Sequence, residues 1–68
     1  MRTSEQYNVA YKDIYGKEQL IGTFWMYEDG SVDEHCNLSK SEMAEMLKVS
    51  VTKDVYSYST GNTVEEED

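Results

Sequence analysis

The sequence has no proline, one cysteine, one tryptophan and one phenylalanine, and six lysine or arginine residues against fourteen aspartate or glutamate. Each scarcity excludes something. A lone cysteine, Cys36, forms no internal disulfide, so the fold rests on packing and a reducing cytosol is the natural compartment. No apolar run approaches the roughly 20 residues that span a bilayer. The opening MRTSEQYN lacks the apolar core of a secretory signal. The shortage of cations leaves a formal net charge of -8, which argues against direct binding of nucleic acid, since that rests on neutralising phosphates with Lys and Arg.

What is present suits a soluble globular chain: 38% hydrophobic and 29% charged residues, with six tyrosines. At 68 residues a single core barely supports folding. A homodimer is therefore expected, because an interface adds the apolar area that so small a core lacks.

The periodicity predicts an α+β fold, a single domain over residues 1–64 with an acidic, disordered tail at 65–68. In residues 6–15, QYNVAYKDIY, Tyr7, Val9, Tyr11 and Tyr15 share one parity and Asn8 and Lys12 the other, which is a strand signal. A turn follows at Gly16. Residues 19–27, QLIGTFWMY, are apolar on both parities, as in a central strand or one covered by a partner chain. Asp29-Gly30 marks a hairpin turn, and a short third strand at Val32–Cys36 would complete an antiparallel N-terminal meander.

Ser39 is a good N-cap and Glu42 sits three residues on, the spacing of a capping box, with Leu38 and Met43 as a hydrophobic staple. A helix is predicted over about 40–48, with Met43, Met46, Leu47 and Ser50 on one face. Beyond Val49, VSVTKDVYSYST reads either as a C-terminal strand or as a second helix.

Residues 38–58, LSKSEMAEMLKVSVTKDVYSY, resemble the helix-turn-helix of bacterial and phage regulators, which implies as one reading a small transcriptional regulator that binds DNA or a protein partner. Ala44 is the small residue within the first helix, Val49 and Ser50 close the turn, and Val55 packs the second helix back. Lys48 departs from that pattern, where glycine is usual. So does the second helix, whose VTKDVYSY supplies only Lys53 where groove readers carry several polar or basic side chains. Residues 38–60 are electrically neutral, whereas residues 1–37 and the tail EEED each carry -4.

That balance turns attention to the acids themselves. Carboxylates spaced along a rigid strand, about 6.6 Å apart at i and i+2, can imitate the phosphates of a duplex. The candidates are Asp13 and Glu18 around the first turn and Glu28, Asp29, Asp33 and Glu34 around the second. In size and charge the whole chain resembles the small acidic proteins that phages make to disable host machinery. Within that group it is most similar to the DNA mimics that inhibit the nucleoid protein HU. The resemblance implies a non-enzymatic inhibitor acting in the host cytosol at the nucleoid, whose partner is an HU-like DNA-binding protein and which binds neither DNA nor membrane.

Catalytic and cofactor chemistry find little footing. His35 and Cys36 are neighbours that point to opposite faces of a strand, and one His with one Cys falls short of the four ligands of a zinc site. EDGSVDE lacks the ligand spacing of a calcium loop. Trp25, Tyr56 and Tyr58 could stack bases, but no basic groove accompanies them. No cofactor and no metal are expected.

Overall fold

Alternation of Tyr7, Val9 and Tyr11 with Asn8, Ala10 and Lys12 draws the N-terminal segment into a strand. In the computed structural model, which describes residues 2–66, it becomes β1 (Arg2–Lys12). Three further elements follow: β2 (Glu18–Tyr27), the helix α1 (Lys40–Ser50) and β3 (Val55–Glu66). The strands form one antiparallel sheet in the order β2-β1-β3. The architecture is thus α+β, a three-stranded sheet with one helix.

Register assigns the faces, because directly opposed residues point the same way. Tyr7 lies between Phe24 and Ser59, and Val9 between Gly22 and Ser57. Asn8 lies between Thr23 and Tyr58, and Ala10 between Leu20 and Tyr56, on the reverse face. The Tyr7 and Phe24 rings stack with centroids 5.5 Å apart. A bulge at Ile21 shifts the register of β2 between Val9 and Ala10. A larger irregularity lets β3 bow outward at Thr60–Asn62, where Gly61 takes φ 87° and the Gln6 side-chain oxygen accepts hydrogen bonds from Thr60 and Asn62.

The helix crosses the Val9 face. Its start is held by reciprocal bonds: Ser39 Oγ accepts from the Glu42 amide at 3.2 Å, and Glu42 Oε1 accepts from the Ser39 amide at 2.8 Å. Gly22 is what allows close approach. A Cβ there would lie 2.5 Å from both Glu42 Oε2 and Leu38 Cδ2. This contact sets the rotation of α1, so Glu42, Met46 and Val49 are half-buried while Met43 and Leu47 are exposed. Of the face predicted from periodicity, Met46 therefore points inward and Met43 lies at its margin, while Leu47 and Ser50 are turned outward. The core is thin. Among the described residues Ser4, Val9, Ala10 and Gly22 are buried, and no large side chain is wholly enclosed.

Several expectations are corrected. The N-terminal meander does not form, because residues 31–36 make one isolated bridge, Val32 to Met26, instead of a strand. Asp29 and Asp33 turn their carboxylates onto the amides of Ser31 and His35 and bend that segment. Three backbone bonds still tie it to the outer edge of β2: Tyr27 to Ser31, Asp33 to Trp25 and Trp25 to Cys36. The third strand is β3, on the opposite edge of β1, so β1 is central and β2 is not. The first strand ends at Lys12, not Tyr15, because Asp13 Oδ1 accepts from the amides of Tyr15 and Lys17 and closes a turn, with Gly16 at φ 78°.

Residues 55–58 lie in β3, so the second helix of the helix-turn-helix reading is absent. Of the expected tail 65–68, Glu65 and Glu66 belong to β3, paired with Thr3 and Arg2, which carries the domain past residue 64. Glu67 and Asp68 lie outside the described residues.

Candidate functional site

The six candidate carboxylates do not form one row. Asp13 and Glu18 sit at the β1–β2 turn, whereas Glu28, Asp29, Asp33 and Glu34 follow the far end of β2. Ten residues of strand separate these ends by about 30 Å. The molecule is correspondingly long and thin, 44 × 23 × 15 Å.

At the first end, Asp13 is an organising residue. Its Oδ1 takes the two turn amides at 2.9 and 3.0 Å, and its Oδ2 accepts from Gln19 Nε2 at 3.0 Å. The Lys17 amide is the main cause holding its carboxyl below the ordinary value. Glu18 reaches across the sheet face and accepts from the hydroxyls of Tyr56 and Tyr58, both at 2.7 Å. Those donors, Tyr56 first, hold Glu18 below its ordinary value, and the same bond pushes Tyr56 up to about 12. The network continues from Tyr58 through Asn8 to Thr23. The base-stacking candidates Tyr56 and Tyr58 are therefore spoken for by a carboxylate, with ring centroids 6.1 Å apart.

At the second end, Asp29 accepts from the Ser31 hydroxyl at 2.6 Å and the Ser31 amide at 2.9 Å, and the hydroxyl bond chiefly lowers its pKa. Glu28 and Glu34 are exposed. The sequence reading missed two contributors here. Register places Glu65 and Glu66 at this end, and Glu66 accepts from the Tyr27 hydroxyl at 3.4 Å. Tyr27 lies between Asp33, Glu66 and Arg2, whose guanidinium sits 3.8 Å from the ring centroid; burial first, then Asp33, raises its pKa. Glu5, facing away from Glu18, binds the hydroxyls of Tyr7 and Ser59. The available signal was the alternation of YSYSTGNTV running straight into the acidic tail, which a strand assignment to the end of the chain would have used.

The arrangement places hydrogen-bonded carboxylates, Asp13 and Glu18 at one end and Asp29 and Asp33 at the other, along a three-stranded plate. His35 and Cys36 lie exposed in the loop after β2, and no group of three or more His, Cys, Asp or Glu among the described residues is placed to hold a metal ion. Likewise, no helix among the described residues is long and apolar enough to cross a membrane.

The chain matches no protein-family model, no curated protein and no solved structure.

Proposed function

We propose that this is a non-enzymatic phage protein that inhibits a host DNA-binding protein, of the HU kind, by occupying its DNA-binding surface with a DNA-like array of carboxylates. The observation that carries this reading is the acidic end of the plate, where Glu28, Asp29, Asp33, Glu34, Glu65 and Glu66 gather around Arg2 and Tyr27. Asp13 and Glu18, with Lys12, Lys17 and Lys53 beside them, lie about 30 Å away, close to the roughly 34 Å of one duplex turn. Hydrogen bonding preorganises Asp13, Glu18, Asp29 and Asp33, so a basic partner meets charges already in position and little ordering entropy is lost on binding. The net charge repels DNA and steers a cationic partner. The reading places the protein in the host cytosol, at the nucleoid. It also has the protein act as a homodimer, which doubles the charge of -8 to -16 and suits a dimeric target.

The test compares position at constant charge. One variant carries Glu28→Gln and Glu34→Gln at the acidic end; the other carries Glu42→Gln and Glu45→Gln on α1. Each removes two negative charges, and glutamine at position 42 still fits the capping box. Competition against labelled duplex for purified HU should show the first variant weaker by about tenfold or more, and the second by less. Equal losses would mark a generic polyanion. A gel shift of duplex by the protein alone would sink the reading.

A further inference from the structure

A folded chain of 7.9 kDa ordinarily exposes about 4,400 Å² of surface. This one exposes 5031 Å². The excess, about 600 Å², approaches the ~800 Å² that each partner contributes to a standard interface. Part of the exposed apolar surface lies along α1. Between α1 and the sheet lies an open cleft of about 410 Å³, lined by Val9, Phe24, Leu38, Met43, Met46 and Val55 among others. From its mouth Met43, Leu47 and Val51, at i, i+4 and i+8, run along one flank of the helix with exposures of 38%, 67% and 82%.

The remaining surfaces suit a second copy less well. The reverse face of the sheet alternates apolar and polar side chains, and its hydroxyls are already bonded to Glu18 and Asn8. Antiparallel sheets commonly leave such a face to water. The end that carries Glu28, Asp29, Asp33, Glu34, Glu65 and Glu66 is acidic and repels a copy of itself.

The spacing along the flank is self-complementary. A two-fold axis at Leu47 sets Leu47 against its own copy and Met43 against Val51, each four residues from the axis. We infer that a second copy of this chain covers the helix flank, the two α1 helices packing antiparallel about Leu47 and closing the cleft over Val9 and Phe24. This rests on the pairing put forward above and not on the mimicry. It leaves the acidic end of each copy exposed on the dimer.

Sedimentation at tens of micromolar should find the native chain dimeric. Leu47→Glu should raise the dimer dissociation constant about 100-fold or more, whereas Leu20→Ser and Ile14→Ser should leave it unchanged. Because the monomer of Leu47→Glu could unfold, cross-linking supplies an independent readout. In a Cys36→Ser background, Leu47→Cys should form an intermolecular disulfide under mild oxidation and Leu20→Cys should not. A native monomer, a dimeric Leu47→Glu, a dimer lost with Leu20→Ser, or a Leu47→Cys chain that stays uncrosslinked each overturns the assignment. Displacement of DNA from HU by the carboxylate variants, all with Leu47 intact, reads the mimicry separately.

Discussion

Replacing Gly22 with alanine would place a methyl carbon 2.5 Å from Glu42 Oε2, 2.5 Å from Leu38 Cδ2 and 2.9 Å from Glu42 Cδ. Both neighbours end flexible side chains, which ordinarily swing aside. Glu42 is not free to do so, because its other oxygen accepts the Ser39 amide at 2.8 Å. Relief therefore opens the cap of α1, worth about 1 kcal/mol, and, because the 2.5 Å contact with Leu38 remains, also shifts the helix off β2 at an overpacking cost of about 1 kcal/mol. Alanine returns about 0.4–1 kcal/mol through the unfolded chain. The net expectation is a loss of about 1.5 kcal/mol, read as a lower urea midpoint with unchanged slope at fixed protein concentration. The mechanism is separable from a general intolerance at this position. In a Glu42→Ala background two of the three close contacts vanish, so the cost of Gly22→Ala should fall by about half or more, as a double-mutant cycle reports. An identical penalty in both backgrounds, or none in either, refutes the account of how the helix is seated.

Glu18→Gln should bring the ionisation of Tyr56 down from about 12 toward its ordinary 10.0, visible in tyrosinate absorbance; an unmoved titration contradicts the bond. Stability should fall at both extremes of pH. Asp13, Glu18 and Asp29 are held below their ordinary values of 3.8, 4.5 and 3.8, so their contribution is present above those values and lost as pH falls through the folded ones. Tyr56 is raised, so its contribution is present below 10.0 and lost as pH rises toward about 12; a urea midpoint that climbs over that alkaline range would be the wrong sign. Ser39→Ala should cost about 1 kcal/mol, measured by the same unfolding curves, and a neutral result would show that the cap bond is dispensable.

Local chemistry was legible in the sequence wherever a few adjacent residues decide it. Ser39 and Glu42 mark where α1 begins because the capping geometry spans a single turn, and Gly16 and Gly30 mark turns because both take positive φ. The body of β2 could be read from its own run of apolar residues. Where β1 stops was less legible: its alternation continues to Tyr15, and the two amides bound by Asp13 end the strand first. For residues 55–58 the sequence left strand and helix level, since VYSY satisfies both patterns. The sheet decided it. β1 had one edge occupied by β2 and one edge of unpaired backbone groups, and β3 satisfied them along its length. That non-local pairing drew Glu65 and Glu66 out of a presumed tail and set Glu66 beside Tyr27, and it brought Tyr56 and Tyr58 within reach of Glu18, some forty positions earlier. The sequence by itself determined the amount of negative charge and the local turns and cap. Its gathering at one end of a plate, and the outward rotation of Leu47, came from the tertiary structure, because strand partner and helix rotation depend on which distant surfaces meet, and no periodicity within a segment encodes that.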